Sequence, residues 1–373
     1  MNAFSFQLHA TDGAARRGTF HTPHGPVETP CFMPVGTRGT VKGILPRDLK
    51  AMGAHMILAN TFHLHLRPGE ETVERLGGLH GFMRYDGPIL TDSGGFQVWS
   101  LAELRKIGED GVRFRSPIDG APLFLSPERS MEIQRALGAN VVMAFDECPS
   151  ADLRGESLTQ STDLTLRWLD RCLSVALKPH QTLFPIVQGG MDPELRASSA
   201  RRTLAIAPAA AGYAVGGLAV GEPKETTYRM LQASVAELPA GRPRYMMGIG
   251  TPEDLVLAVD RGVDLFDCVL PTRNARNAKV FSSAGPLNLR NAKWADDPSP
   301  IDPACDCEAC AQGFSRGYLR HLQLQDEMLG GILCSLHNLR TLIRQCEEMR
   351  AAIVERRWES WKSAFFEGRP APF

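Results

Sequence analysis

The sequence predicts an α/β fold, and within that class a (β/α)8 barrel of the TIM type. Two observations carry this expectation. Short apolar runs alternate with longer helical stretches, the pattern of βαβ units around a parallel sheet. There are eight such runs, the number that closes the barrel. At 373 residues, the chain also has room for an appendage beside a single barrel.

The runs fall at 31–36 (CFMPVG), 55–60 (HMILAN), 88–92 (PILTD), 140–146 (NVVMAFD), 183–188 (LFPIVQ), 212–217 (GYAVGG), 243–249 and 263–268 (VDLFDC). Between them lie recognisable helix starts. Ser126-Pro127-Glu128 and Thr251-Pro252-Glu253 each offer a capping hydroxyl, then proline and an acid in the first turn. The stretch from 93 to 125 is too long for one crossover and contains Gly and Pro turns, so an extra hairpin is expected there. Several runs end in a polar residue: Asn60, Asp92, Asp146, Gln188 and Asp267, with Gly216-Gly217 closing another. In a parallel barrel these carboxyl ends form one face, where active sites are built. Asp and Asn also begin turns after strands. Their recurrence at five ends favours a shared pocket.

Composition excludes several classes. With 43% hydrophobic and 22% charged residues the chain is ordinary globular protein. No apolar run of about 18 residues marks a membrane span, and Met1-Asn2-Ala3-Phe4-Ser5-Phe6 lacks the look of a signal peptide. A cytoplasmic location is expected. Forty-one basic against 42 acidic residues give a net charge of −1, so any nucleic-acid contact must rest on a local basic stripe. The nine cysteines, an odd number with no export signal, point to a metal site or reactive thiols rather than a disulfide framework.

Residues 305–310 read Cys-Asp-Cys-Glu-Ala-Cys. Cys305, Cys307 and Cys310 supply three soft ligands on one turn, as a tetrahedral zinc site needs. The fourth ligand is expected from the helical region that follows. His337 is preferred, with Cys334 and His321 as alternatives; Cys334 shares an apolar helix face with Leu329, Leu333 and Leu336. A closed Cys3His site would be structural, since it leaves no position for water. His63-Leu64-His65 forms a second metal-like pattern, read instead as packing or hydrogen-bonding histidines, because the later strand ends supply no histidine. From Cys268 to Ala295 there are five basic residues, Arg273, Arg276, Lys279, Arg290 and Lys293, and no acidic one. Such a stripe suits phosphate contacts, although a solvated loop would look the same.

Taken together, these residues resemble the queuine/archaeosine tRNA-ribosyltransferase family, and within it the bacterial tRNA-guanine transglycosylases. The resemblance runs from Phe20 to about Asn338. It rests on Asp92-Ser93-Gly94-Gly95-Phe96-Gln97, Phe145-Asp146-Glu147-Cys148, Val187-Gln188-Gly189, Gly216-Gly217-Leu218-Ala219-Val220-Gly221-Glu222 and Phe266-Asp267-Cys268-Val269-Leu270-Pro271-Thr272-Arg273, followed by the C-x-C-x-x-C run. The family exchanges guanine at the anticodon wobble position of GUN-anticodon tRNAs (those for Asp, Asn, His and Tyr) for a 7-deazaguanine; bacterial members use 7-aminomethyl-7-deazaguanine (preQ1).

The resemblance implies Asp267 as nucleophile on ribose C1′ and Asp92 as general acid/base. It implies Asp146, Gln188, the Gly217 N–H and the Leu218 carbonyl as readers of the base, with Tyr245, Met247 and Phe96 against its ring. Arg273, Arg276 and Lys279 are expected at the RNA, and one structural Zn²⁺ at the cysteine cluster with His337. Val220 stands where bacterial members have valine and eukaryotic ones glycine, which favours preQ1 over bulkier queuine. A homodimer is expected. So is a division into a barrel (1–270), a basic and zinc-binding subdomain (271–345) and a C-terminal helix (346–373). Competing readings are a non-catalytic tRNA-binding paralogue, a relative acting on DNA, and a metal-dependent barrel hydrolase.

Overall fold

The computed structural model describes residues 3–95, 106–367 and 369. The chain opens with an antiparallel sheet that the apolar runs did not suggest: β1 (Ser5–Asp12), β2 (Ala15–Thr22) and β3 (Gly25–Thr29). Next come the first barrel strands, β4 (Cys31–Gly36), β5 (Ile57–Ala59) and β6 (Ile89–Thr91). The expected insertion after the third strand is present as three antiparallel strands rather than two, β7 (Lys106–Gly108), β8 (Gly111–Arg115) and β9 (Pro122–Leu125). The barrel then continues through β10 (Val141–Met143), β11 (Thr182–Phe184), β12 (Ile186–Val187), β13 (Tyr213–Val215), β14 (Arg244–Met246) and β15 (Leu265–Cys268).

These nine segments form one parallel sheet in the order β11-β10-β6-β5-β4-β15-β14-β13-β12. Its two ends, β11 and β12, are a single stave interrupted at Pro185. Proline has no N–H to give to a ladder, but its carbonyl still accepts from the Ala214 N–H at 2.8 Å. One side of this stave pairs with β10 and the other with β13. Eight staves therefore close the barrel.

Alternation along the strands sorts the core into two layers. Cys31, Met33, Val35, Leu58, Leu90, Val141, Met143, Phe184, Ile186, Ala214, Tyr245 and Leu265 fill the interior. Phe32, Ile57, Ala59, Ile89, Val142, Val187 and Phe266 pack outward against the helices. Phe20 and Val27 of the N-terminal sheet join the inner layer, Phe20 with its ring 5.6 Å from that of Phe184. The sheet thus plugs one end of the barrel, leaving the other for a site. Arg16 anchors it through a buried pair with Asp264, Nε to Oδ1 at 3.1 Å. The helix starts fall where the sequence placed them: Ser126 caps Pro127–Leu137 and Thr251 caps Pro252–Val259 through their side chains.

After β15 a short helix, Leu270–Ala275, leads into β16 (Lys279–Val280) and β17 (Leu287–Asn288). Ala275, Val280, Leu289, Ile301, Leu319, Leu322 and Leu333 form a second core around the cysteines. The 27-residue helix Met328–Val354 bridges the two cores. Leu333 and Cys334 belong to the smaller one, while Leu339, Leu342, Ile343, Cys346, Met349 and Ile353 belong to the main one. Among the described residues, no helix is long and apolar enough to cross a membrane.

Candidate active site

The carboxyl ends of the barrel strands converge on a cavity of about 490 Å³, a size suited to one small ligand. Asp92 follows β6, Asp146 lies just past β10, Gln188 follows β12, and Asp267 stands within β15. All four line the cavity, together with Gly217, Leu218, Tyr245, Met247 and Val220. Of the residues expected in this pocket, only Phe96 lies outside the described residues.

Each aspartate has a different environment. The Tyr245 hydroxyl donates to Asp267 Oδ1 at 2.5 Å, and the Gly248 N–H donates to the same oxygen at 2.9 Å. Burial raises the pKa of Asp267, an effect those two donors oppose. With both bonds on Oδ1, Oδ2 is the oxygen left to attack an electrophile. Asp92 is held by the Asn60 side-chain amide on Oδ2 and by the Thr61 N–H on Oδ1 at 2.8 Å. The Thr61 hydroxyl donates to the Asp92 carbonyl at 2.5 Å, which orients the residue from behind.

Asp146 accepts from Gln188 Nε2 at 2.7 Å and from the Ser93 hydroxyl at 3.3 Å. Burial pushes its pKa up to about 6, against those hydrogen bonds. The Gln188 amide carries two hydrogens, so one can hold Asp146 while the other faces a ligand.

The loop after β13 is tightly built. Gly217 has φ +64°, and a Cβ there would sit 2.3 Å from Gln188 Oε1, so only glycine fits. Glu222 binds the next turn, accepting from the N–H groups of Ala219 at 2.6 Å and Val220 at 2.9 Å. Ala219 itself has φ +58°. Glu222 stands within the family-like motif at 216–222, which by itself implies no role for it. Nor does the sequence show the bonds made by Asn60, Thr61, Ser93 and Gly248, or that between Tyr245, expected against the base, and Asp267. A polar residue at a strand end was the available signal for Asn60; a backbone donor such as Gly248 leaves none.

The model of the queuine tRNA-ribosyltransferase family matches residues 11–371. The chain belongs to this family. Queuine tRNA-ribosyltransferase from Thermus thermophilus is 54% identical over 98% of this chain and 94% of its own length. The protein of that name from Xanthomonas axonopodis pv. citri is 53% identical over 100% of this chain and 97% of its own length. The one from Stenotrophomonas maltophilia is 52% identical, over 100% and 99%. Each covers the barrel, the cavity residues and the cysteine cluster together.

Outside the cavity, this family member brings Cys305, Cys307, Cys310 and His337 together as a buried group whose ligand atoms all lie within 4.8 Å of one another. His337 Nδ1 is 3.4 Å from the sulfurs of both Cys307 and Cys310. Metal–sulfur and metal–nitrogen bonds of about 2.3 and 2.0 Å at tetrahedral angles imply a sulfur–nitrogen edge of roughly 3.5 Å, so the group fits a metal ion. His337 Nε2 is 2.7 Å from the Phe281 carbonyl, a bond that fixes Nδ1 as the ligating nitrogen. Cys334, the alternative ligand, instead lies 3.6 Å from Gln323 Nε2 and outside the group; His321 is outside it too. His63 lines the cavity, whereas His65 pairs with Glu70 at 2.7 Å, so the His-x-His pair forms no metal group among the described residues.

The basic stripe does not line the cavity. Arg273 lies on the helix Leu270–Ala275, and Arg276 and Lys279 follow it; all three are exposed. The segment is tied to the metal-ligand helix: Asn338 Nδ2 donates to the carbonyls of Pro271 at 2.9 Å and Lys279 at 3.1 Å, and its Oδ1 accepts from the Phe281 N–H at 2.9 Å.

Proposed function

We propose that this chain is a tRNA-guanine transglycosylase. It exchanges guanine at wobble position 34 of GUN-anticodon tRNAs (Asp, Asn, His and Tyr) for preQ1, within queuosine biosynthesis. The observation that carries the reading is the convergence of three differently prepared carboxylates on one cavity: Asp267 with two donors on a single oxygen, Asp92 held by a side-chain amide and a backbone N–H, and Asp146 joined to an amide.

In this mechanism Asp267 attacks C1′ of the ribose. The C1′–N9 bond breaks as the C1′–O bond forms, and guanine departs with its electron pair and a proton managed by Asp92. Capture of oxocarbenium character by a carboxylate follows the logic of retaining glycosidases. PreQ1 then enters, loses a proton to Asp92 and attacks C1′, freeing Asp267. The strand is never cut. Asp146 accepts from N1–H and the exocyclic amine, Gln188 and the Gly217 N–H donate to O6, and the Leu218 carbonyl receives the aminomethyl group. Tyr245 and Met247, which line the cavity, hold the ring. Val220 on the cavity wall favours preQ1 over queuine.

Arg273, Arg276 and Lys279 contact the tRNA, and a single structural Zn²⁺ occupies the Cys3His group; the four-ligand thiolate-rich set suits zinc. The same reading extends to a cytoplasmic homodimer. Leu324 at the end of the helix Arg316–Leu324 and Met328 and Leu329 at the start of the long helix leave apolar surface exposed, which suits contact with a second copy.

The test is incorporation of labelled guanine into a GUN-anticodon tRNA, followed by a chase with preQ1. Uptake that preQ1 displaces is expected. No uptake by folded, zinc-replete protein would overturn the reading.

Base recognition should depend on pH. Asp146 must be ionised to accept from the base, so guanine affinity should fall about tenfold per unit as pH drops below about 6. Asp146→Asn should bind guanine weakly at every pH. A carboxyl whose folded pKa lies above its unfolded value is destabilising when ionised, so this variant should melt no lower than wild type at pH 8. Guanine binding that is equally tight at pH 5 and pH 8 would exclude the role.

A further inference from the structure

Behind the base-reading loop lies Arg196, on the helix Pro193–Ile206, with no exposed surface. A guanidinium carries five N–H donors and no acceptor. Among the described residues, all its hydrogen bonds go to main-chain oxygens. Nε donates to the Gly190 carbonyl at 2.7 Å, Nη1 and Nη2 both donate to Gly216 at 3.1 Å, and Nη2 also reaches Gly217 at 3.2 Å. Gly189 makes room for it, since a Cβ there would lie 2.8 Å from Arg196 Cγ.

A buried cation whose bonds all run to main-chain carbonyls is a costly way to fill space, and burial lowers its pKa to about 10. The position of those carbonyls explains its use. In a trans peptide the C=O and the following N–H point in opposite directions. Drawing the Gly216 carbonyl back onto Arg196 therefore turns the Gly217 N–H toward the cavity that Gly217 lines. The positive charge behind the peptide also strengthens that N–H as a donor. Leu218 packs into the core, but Gly217 has no side chain of its own to fix the peptide before it, and a side chain there would be strained at φ +64°.

We propose that Arg196 is a positioning residue that aims the Gly217 N–H at the keto oxygen of the bound purine and so sets selectivity for 6-oxo bases. This rests on the base-exchange reading given above.

Dissociation constants for guanine, 6-thioguanine and tRNA would be measured for wild type, Arg196→Lys and Arg196→Gln. The thio analogue keeps the N1–H and amine that Asp146 reads but offers sulfur, a weak acceptor. Guanine affinity should fall about 10–100-fold in either variant. Affinity for 6-thioguanine should change by less than about threefold and tRNA affinity should hold, so the preference for oxygen collapses. Equal losses for both bases, or unchanged guanine binding, would overturn the proposal. In wild-type protein, the Gly217 amide resonance should shift strongly with guanine and little with 6-thioguanine; equal shifts would reject it even if neither variant folds. Wild type that binds neither base would instead remove the base-exchange reading, and this role with it.

Discussion

Asp267→Asn is expected to lower guanine exchange by on the order of 10⁴-fold or more, because the covalent route loses its only nucleophile. The substitution is nearly isosteric, and its Oδ1 can still accept from Tyr245 and Gly248, so the fold should survive. The tRNA dissociation constant should stay within about threefold of wild type. Denaturing electrophoresis should show a protein–tRNA adduct for wild type and none for the variant. Burial raises the pKa of Asp267 above the ordinary carboxylate range, so wild-type exchange should also fall at acid pH as this group becomes protonated. Retained turnover in Asp267→Asn would sink the nucleophile assignment, and an adduct that persisted would point to another carboxylate.

Loss of the proposed zinc should be nearly as damaging, by a different route. Cys307→Ser is expected to abolish binding of one zinc per chain and to cost on the order of 5 kcal/mol of stability, since metal binding in such sites is folding free energy. His337 and Asn338 link the cluster to Pro271, Lys279 and Phe281. The basic segment beside β15 should therefore lose its shape, and tRNA affinity should drop more than affinity for free guanine. Elemental analysis, melting temperature and the two dissociation constants read these effects separately. Cys334→Ser provides the control: its sulfur lies outside the ligand group, so metal content should persist. Equal zinc in Cys307→Ser and wild type would exclude the site.

Much of this was legible along the chain because it is written locally. Apolar runs that end in Asp92, Asp146, Gln188 and Asp267 mark strands and their carboxyl ends, since strand burial and the switch to polarity both occur within a few residues. Three thiols within six positions announce a metal turn for the same reason. The N-terminal sheet is not legible because β1 is largely exposed and its strands, though up to eight residues long, are rich in polar residues and carry little apolar signal, although Phe20 turns out to plug the barrel. The third strand of the insertion was missed as well.

Other assignments needed the fold. The sequence favours His337 as the fourth ligand with Cys334 and His321 as alternatives, and the packing of the long helix against the cysteine turn brings His337 alone of the three into the group. Tyr245 reads as one more aromatic in a strand; its hydroxyl finds Asp267 because β14 and β15 are paired in a register that sets Tyr245 opposite Leu265, two residues from the aspartate. Arg196 looks like an ordinary helix arginine beside Arg201 and Arg202, yet a missing side chain at Gly189 lets it be buried beneath the base-reading loop. Residue type and short-range periodicity thus identify which groups are available for chemistry. Which of them meet, and with what hydrogen bonds, depends on register and helix phase between segments far apart in sequence, and packing of the whole barrel determines those.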